Sequence, residues 1–484
     1  MRNRLLLAGA GLAAFGVSLA SGFHFDDYAI FSDRILTSPS GWMGVWALRQ
    51  TRPLTDLTFW LNYLAGGQDP LGYHLVNLAL HIGAVLLAYA CLRRLVPERA
   101  ALVGAAIFAV HPLQAEAVNY VWARGILLAT VLCLASLRAW LDGRVWVAVG
   151  WFAAALLANE ECAAFPVVLW ILGRAEAGPE GAPRGRSPVP LGAMLALSLA
   201  AGVRVIYAAT TPGSTAGAHA GVTAWKYFLT QGAVILRYLR LLAFPHGFTV
   251  DPDIRTPAVW AGALAWAAVA GLAVWAWRER ARGWTMGLLA GLILLLPSSS
   301  IFPAADLAAD RRMYLPMLGF AAAAGILLGR IKVNAPAAAL VSVLLVLSVF
   351  RTAVWMSDAS LWREAVRRAP EKVRPKVQLS RDVPAGEALE LLTAARNLAP
   401  YDASVAAETG KVLLEERQVD AALIEFGRAL ALDPNNAQHH NNRGVALSLL
   451  GQTEAARADF KEALAIDPGL TEASENLRKL PPEQ

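Results

Sequence analysis

Between Leu5 and Trp355 the chain is a succession of apolar stretches divided by short, arginine-bearing connectors. Inside a bilayer, backbone polar groups are satisfied only within a helix or a closed barrel, so this pattern constrains the fold more than any motif does. Hydrophobic residues make up 56% of the 484 and charged residues only 17%, against about 25% in a soluble globular chain. The expected fold is all-α: a polytopic membrane helix bundle of about eleven spans, followed by a small α-solenoid.

The stretches read approximately 5–20, 72–92, 100–112, 124–141, 145–158, 162–173, 191–209, 257–277, 284–297, 313–330 and 336–355. Several are shorter than the roughly 20 residues a bilayer requires, so their boundaries are soft. The first stretch fits either an uncleaved span or a signal peptide with Ser18-Leu19-Ala20 as its cleavage site. The many hydrophobic stretches that follow favour the span. Basic connectors occur at Arg93, Arg94 and Arg99, at Arg144, from Arg174 to Arg186, from Arg278 to Arg282, and at Arg330 with Lys332. Placed inside, they give a cytoplasmic N-terminus. Residues 223–244 are interrupted by Lys226, Arg237 and Arg240 and read as an amphipathic helix in the outer interface. The odd span count then puts the C-terminus outside. The net charge of +6 is scattered over these connectors as topology signal and forms no nucleic-acid surface. Cys91, Cys133 and Cys162 fall in apolar stretches and are expected to be buried thiols without a disulfide framework.

Beyond the membrane part, residues 1–356, the pattern changes to a period of 34. Gly410, Ala422, Phe426, Ala429 and Pro434 recur as Gly444, Ala456, Phe460, Ala463 and Pro468. This defines tetratricopeptide repeats at 403–436 and 437–470, with a weaker copy upstream through Ala388, Leu392, Ala395 and Pro400, in a domain spanning 357–484. Such a stack offers a concave surface to a peptide or protein partner; it can equally act as a spacer or dimerisation element.

On the predicted topology, polar residues outside the membrane collect in five places. The first loop carries Asp26, Asp27 and Asp33, then Arg52. A second holds His111 and Glu116, with Arg124 at the start of the next span. The others are Asn159-Glu160-Glu161, the segment with His246 and Asp251, and Asp310-Arg311-Arg312-Met313-Tyr314. Each has a plain structural alternative: a helix cap for the aspartates, a helix end for His111, snorkelling for Arg124, lipid phosphate for Arg311 and Arg312. Two outer arginines nonetheless run against the inside bias of basic residues, and the acids and histidines segregate to one face. A membrane enzyme with an external active site has that distribution.

The motifs in order are Asp26-Asp27; Arg52-Pro53-Leu54 with Leu57-Thr58-Phe59 and Asn62; Gly72-Tyr73-His74-Leu75-Val76-Asn77 with His81; His111-Pro112 with Glu116-Ala117-Val118; and Arg311 with Tyr314-Leu315-Pro316. Together with the trailing repeats they resemble, over essentially the whole length, the transmembrane-and-tetratricopeptide proteins related to protein O-mannosyltransferases, in the GT-C glycosyltransferase class. The sequence departs from that pattern at Ile126, Asn159 and Asp310. The resemblance implies an inverting transferase that moves a sugar from a polyprenyl-phosphate carrier to a protein hydroxyl or a glycan on the non-cytoplasmic face. It is metal-independent or weakly metal-dependent: no metal ligand is assigned, and a divalent cation is left open. Asp26 is the expected general base, with Asp27 as neighbour or alternate and Glu116 as a further catalytic carboxylate. A positioned carboxylate can take the acceptor's proton as it attacks. Arg124 and Arg311 are the expected cations for the lipid phosphate, since guanidinium binds phosphate bidentately. Arg52, His74, His111, Glu160, Asp251, Asp310, Arg312 and Tyr314 complete the expected substrate-binding set.

The competing expectations are a non-catalytic, membrane-anchored repeat scaffold for protein assembly, and a transporter. A transporter needs acids deep within spans or internal repeat symmetry, and neither is evident. The alanine- and arginine-rich composition suggests a bacterial inner membrane as the setting, with membrane lipids around the bundle and the repeats on the periplasmic side.

Overall fold

The computed structural model describes residues 1–47, 50–176, 187–210, 222–304 and 306–482, and among them there is no strand. Most of the Arg174 to Arg186 connector lies outside the described residues. The chain divides into two units, residues 1–250 with 254–357, and residues 251–253 with 358–484.

All eleven apolar stretches are helical in the first unit. Their lengths differ from the expectation. Among the described residues six helices are long and apolar enough to cross a membrane: Arg2–Ala20, Pro70–Leu95, Val121–Leu141, Val189–Ala209, Val259–Arg278 and Ala335–Val354. A seventh arises if Glu98–Val110 and Pro112–Asn119, bent by 50° at the break, make one span. Val145–Ala158, Trp284–Leu295 and Met317–Gly329 are apolar but short. The count of eleven is therefore not reached, because several stretches stop at 3-10 turns before attaining bilayer length. The segment 223–244 is a regular helix, Ala224–Ala243, that packs against Val259–Arg278.

Local chemistry sets these boundaries. Pro70 opens its helix at the first position, where no backbone donor is lost, and Asp69 caps it by accepting from the Leu71 amide. Arg93 and Arg94 close it in the last turn, where cations favour the helix dipole. Pro112 cannot donate a helical hydrogen bond, and this forces the break after Val110. Small residues bring helices into close contact. A side chain at Gly325 would meet the Ala100 carbonyl at 2.4 Å, and one at Gly319 would meet the Gly287 carbonyl at 2.5 Å. Such approaches suit a bilayer, where packing rather than water exclusion holds helices together.

The two ends of the bundle differ. At one end the basic connectors meet: Arg99 donates to the carbonyls of Lys332 and Val333, Arg330 to that of Arg282, and Arg94 pairs with Asp142 at 2.8 Å. At the other end lie the short turns Phe25–Tyr28, Pro112–Gln114, Val121–Ala123, Glu160–Ala164 and Asp310–Met313. There the Ser21 hydroxyl donates to the Trp355 carbonyl at 2.6 Å, joining the close of the first helix to that of the last.

The second unit stacks helices Ala385–Leu398, Ala403–Glu415, Val419–Leu432, Ala437–Leu449, Thr453–Ile466 and Thr471–Lys479. Ala422, Phe426 and Ala429 are buried, as are their partners one period on, Ala456, Phe460 and Ala463. Ala388, Leu392 and Ala395 are buried likewise in the upstream copy. Each phenylalanine fills the space left by a glycine: a side chain at Gly410 would sit 2.5 Å from Phe426, and one at Gly444 would sit 2.6 Å from Phe460.

Candidate functional site

The aspartate pair separates into two roles. Asp27 is fully buried, and its two carboxylate oxygens accept from the backbone amides of His24 at 2.9 Å and Trp122 at 2.7 Å. It fastens the loop after the first helix to the segment entering the Arg124–Leu141 helix. Burial raises its carboxyl to about 7, although these amides and His24 oppose the shift. Asp26 is exposed and accepts a hydrogen bond from the Tyr120 hydroxyl at 2.7 Å.

Tyr120 connects this aspartate to a charged cluster. The Arg311 guanidinium lies over its ring, 5.8 Å from the centroid. Arg311 also donates to Glu116 at 2.6 Å and to Asp306 at 3.2 Å. Burial opposes its charge, but these two carboxylates outweigh that and hold its pKa above the usual arginine range. The second oxygen of Glu116 accepts from the Asp310 amide at 2.9 Å. Asp310 in turn pairs with Arg237 at 2.7 Å. Arg312 turns the other way, donating to the Asp306 carbonyl at 2.9 Å and approaching the Tyr227 hydroxyl at 3.4 Å. A separate ion pair joins Arg52 bidentately to Glu160, at 3.0 and 2.8 Å. Burial alone would raise the Glu160 carboxyl, but Arg52 outweighs it and holds the carboxyl below the usual range. Beside Arg52 a groove of about 380 Å³ opens, lined by Asp33, Asp56, Thr51 and Trp122 among others.

Asp26, Glu116, Asp310, Arg311 and Arg312 are thus linked through one network, with Arg52 and Glu160 as a neighbouring pair. Other residues of the expected set are built into the scaffold. Arg124 is fully buried: its Nε donates to Asn77, Nη1 to Asn62 and Nη2 to the Tyr73 carbonyl, and it stacks on Phe59 at 4.5 Å. With all three nitrogens engaged it braces helices rather than facing a phosphate. His74 donates to the Gly22 carbonyl at 3.1 Å. His111 accepts from the Leu113 amide and donates to the Leu242 carbonyl, capping its turn. Tyr314 is fully buried and donates to His81, whose other nitrogen donates to the Ala109 carbonyl. Asp251 falls in the second unit, paired with Lys372. All three cysteines are buried.

Tyr120, Arg237, Asp306 and Asp56 are not among the expected site residues, and Arg237 stands out in the sequence only as a charge interrupting 223–244. Tyr120 lies only four residues beyond Glu116, which is the one local cue to it. Among the described residues no three His, Cys, Asp or Glu side chains stand close enough to hold a metal ion. Glu116 and Asp306 are both turned to Arg311.

A tetratricopeptide repeat family model matches residues 425–458. The chain is 46% identical over 106 residues to protein O-mannosyl-transferase Tmtc1 of Drosophila melanogaster, covering 22% of this chain and 11% of that protein. It is 33% identical over 145 residues to protein O-mannosyl-transferase TMTC3 of Mus musculus, covering 27% of this chain and 16% of that protein. This chain is related to the TMTC protein O-mannosyl-transferases. The matched stretches are a small part of those TMTC proteins' length. Among solved structures, the crystal structure of MamA aligns at 20% identity with a TM-score of 0.23, over 25% of this chain and 72% of that chain.

Proposed function

We propose that this multi-pass membrane protein is an inverting glycosyltransferase, taking a sugar from a polyprenyl-phosphate donor and placing it on a protein hydroxyl. The observation that carries this reading is the exposed Asp26 carboxylate, held by Tyr120 beside Arg311. The relationship to named protein O-mannosyl-transferases supports it.

In the proposed step the acceptor oxygen attacks the anomeric carbon, and its proton passes to Asp26. The bond from that carbon to the phosphate oxygen breaks, and the phosphate leaves with the electron pair. Arg311 stabilises the developing phosphate charge, since charge-assisted guanidinium contacts are strongest where water is excluded. Glu116 and Asp306 position Arg311 and do not touch substrate. Asp27 holds the loop that presents Asp26. The site sits at the bundle end remote from the basic connectors, and the preference of such connectors for the inside supports a non-cytoplasmic site. The repeats hold a peptide or protein segment of the acceptor or of an associated chain.

The test is incubation of the purified full chain in lipid nanodiscs with polyprenyl-phosphate mannose and an acceptor peptide, following carrier release. Asp26→Asn should lower the rate about 10²–10⁴-fold, the usual contribution of a general base. Undiminished transfer in that variant would sink the assignment.

A further inference from the structure

Away from this site, a cleft of about 460 Å³ runs between the helices at the basic end of the bundle. That volume falls within the roughly 300–1,000 Å³ of small-molecule sites. One wall is Trp284–Leu295 and another is Met317–Gly329. The two helices run antiparallel, and both present small residues to the cleft, Gly287 and Ala290 from one, Gly319 and Ala322 from the other. Phe165 and Val168 also line it. Only two lining residues are charged, and both are cations, Arg94 and Arg280.

Apart from these two arginines the lining is apolar or small, and a hydrocarbon chain suits it. From Gly283 to Leu294 the lining extends about 16 Å at the α-helical rise of 1.5 Å per residue. That is the depth of one leaflet, half the roughly 30 Å hydrocarbon core. Both guanidiniums belong to the connector end of the cleft, where a headgroup would lie. Arg280 stacks on Trp277 at 4.8 Å, and among the described residues no carboxylate lies within ion-pair distance of it. Arg94 meets Asp142, which Arg138 also neutralises at 2.9 Å.

We propose that this cleft holds one acyl chain of an anionic phospholipid from the leaflet on the basic side, with its phosphodiester between Arg94 and Arg280. The lipid is a resident structural ligand, and its binding is independent of the glycosyltransferase reading.

The full chain, purified in mild detergent, is examined by native mass spectrometry and by lipid extraction. A stoichiometric anionic glycerophospholipid is expected. In the Arg94→Gln/Arg280→Gln variant the bound fraction should fall at least tenfold, with Asp142 still paired to Arg138. Ala322→Phe, which fills the cleft without removing charge, should expel the lipid as well. Elution as a single monodisperse species shows that each variant is folded. In nanodiscs, replacing phosphatidylcholine by phosphatidylglycerol should raise the Tm of the native chain and leave that of the double variant unmoved. The proposal is overturned by absence of bound phospholipid, by equal retention in either variant, or by a bound species that proves to be a prenyl phosphate.

Discussion

The Tyr120 hydroxyl donates to the Asp26 carboxylate at 2.7 Å while the ring of the same tyrosine carries the Arg311 guanidinium. One side chain thereby couples the proposed base to the proposed phosphate-binding cation. Tyr120→Phe keeps the ring and removes only the hydroxyl. A hydrogen bond to a charged group is worth about 1.5–3 kcal/mol, so transfer should fall by about 10- to 150-fold. Initial rates at saturating donor measure this, and an unchanged rate would assign Tyr120 to packing alone.

Neighbouring aspartates should behave oppositely on substitution. Asp27→Asn can accept through only one oxygen and leaves one of two backbone amides facing a donor. An unsatisfied buried group costs about 1–3 kcal/mol. The variant should therefore melt several degrees lower, whereas Asp26→Asn should melt with the native chain. Thermal unfolding in detergent separates the two.

Glu116 and Arg311 should act as a unit. Removing one member of a buried pair leaves the other uncompensated, at a cost of about 3–5 kcal/mol in fully buried cases. Arg311 retains 23% exposure and a second carboxylate, Asp306, so the loss in Glu116→Gln should lie near or below the lower limit. The double variant Glu116→Gln/Arg311→Gln should be less destabilised than the sum of the singles. Strict additivity in a double-mutant cycle would show that the pair contributes no coupling.

Asp56 lines the groove beside Arg52 and should make stability depend on pH. Burial raises its carboxyl to about 7 in spite of Arg52, and Asp33 adds to the rise. The folded chain thus keeps this proton to higher pH than the unfolded chain, whose value is 3.8. Between those values the native state binds more protons, so this group's contribution to stability declines as pH rises. Tm measured from pH 5 to pH 7.5 should fall in the native chain, and the fall should be smaller in Asp56→Asn.

In the repeats, Gly410→Ala sets two effects against each other. Alanine favours a helix interior over glycine by about 1 kcal/mol. The added carbon would meet the Phe426 ring at 2.5 Å, and overpacking of that kind costs about 1–3 kcal/mol. Net destabilisation is expected, with faster amide exchange across 403–432 by mass spectrometry. Phe426→Leu in the same chain should relieve part of it.

What was legible in the sequence follows from the range of each interaction. Helical stretches and the 34-residue period are local or repetitive, and both are visible in composition. Asp26, Glu116, Arg311 and Arg52 stand out because charge near apolar sequence is costly. The network that joins them is not local: Tyr120 reaches Asp26 across 94 positions, and Arg311 reaches Glu116 across 195. Arg124 and His111 carry the same side-chain chemistry as the site residues, and only their buried backbone and amide partners reveal their bracing role. The expected eleven spans are not reproduced among the described residues, because hydropathy does not register a 3-10 turn that ends a helix early.

Three successive residues in the Asp310–Met313 turn reach three partners: Asp310 to Arg237, Arg311 to Glu116, Arg312 to Tyr227. In a 3-10 helix each residue advances about 120° around the axis. Inserting or deleting a single residue here would rotate every one of these charges onto a neighbour's contact. This turn is constrained in length as well as in side chain.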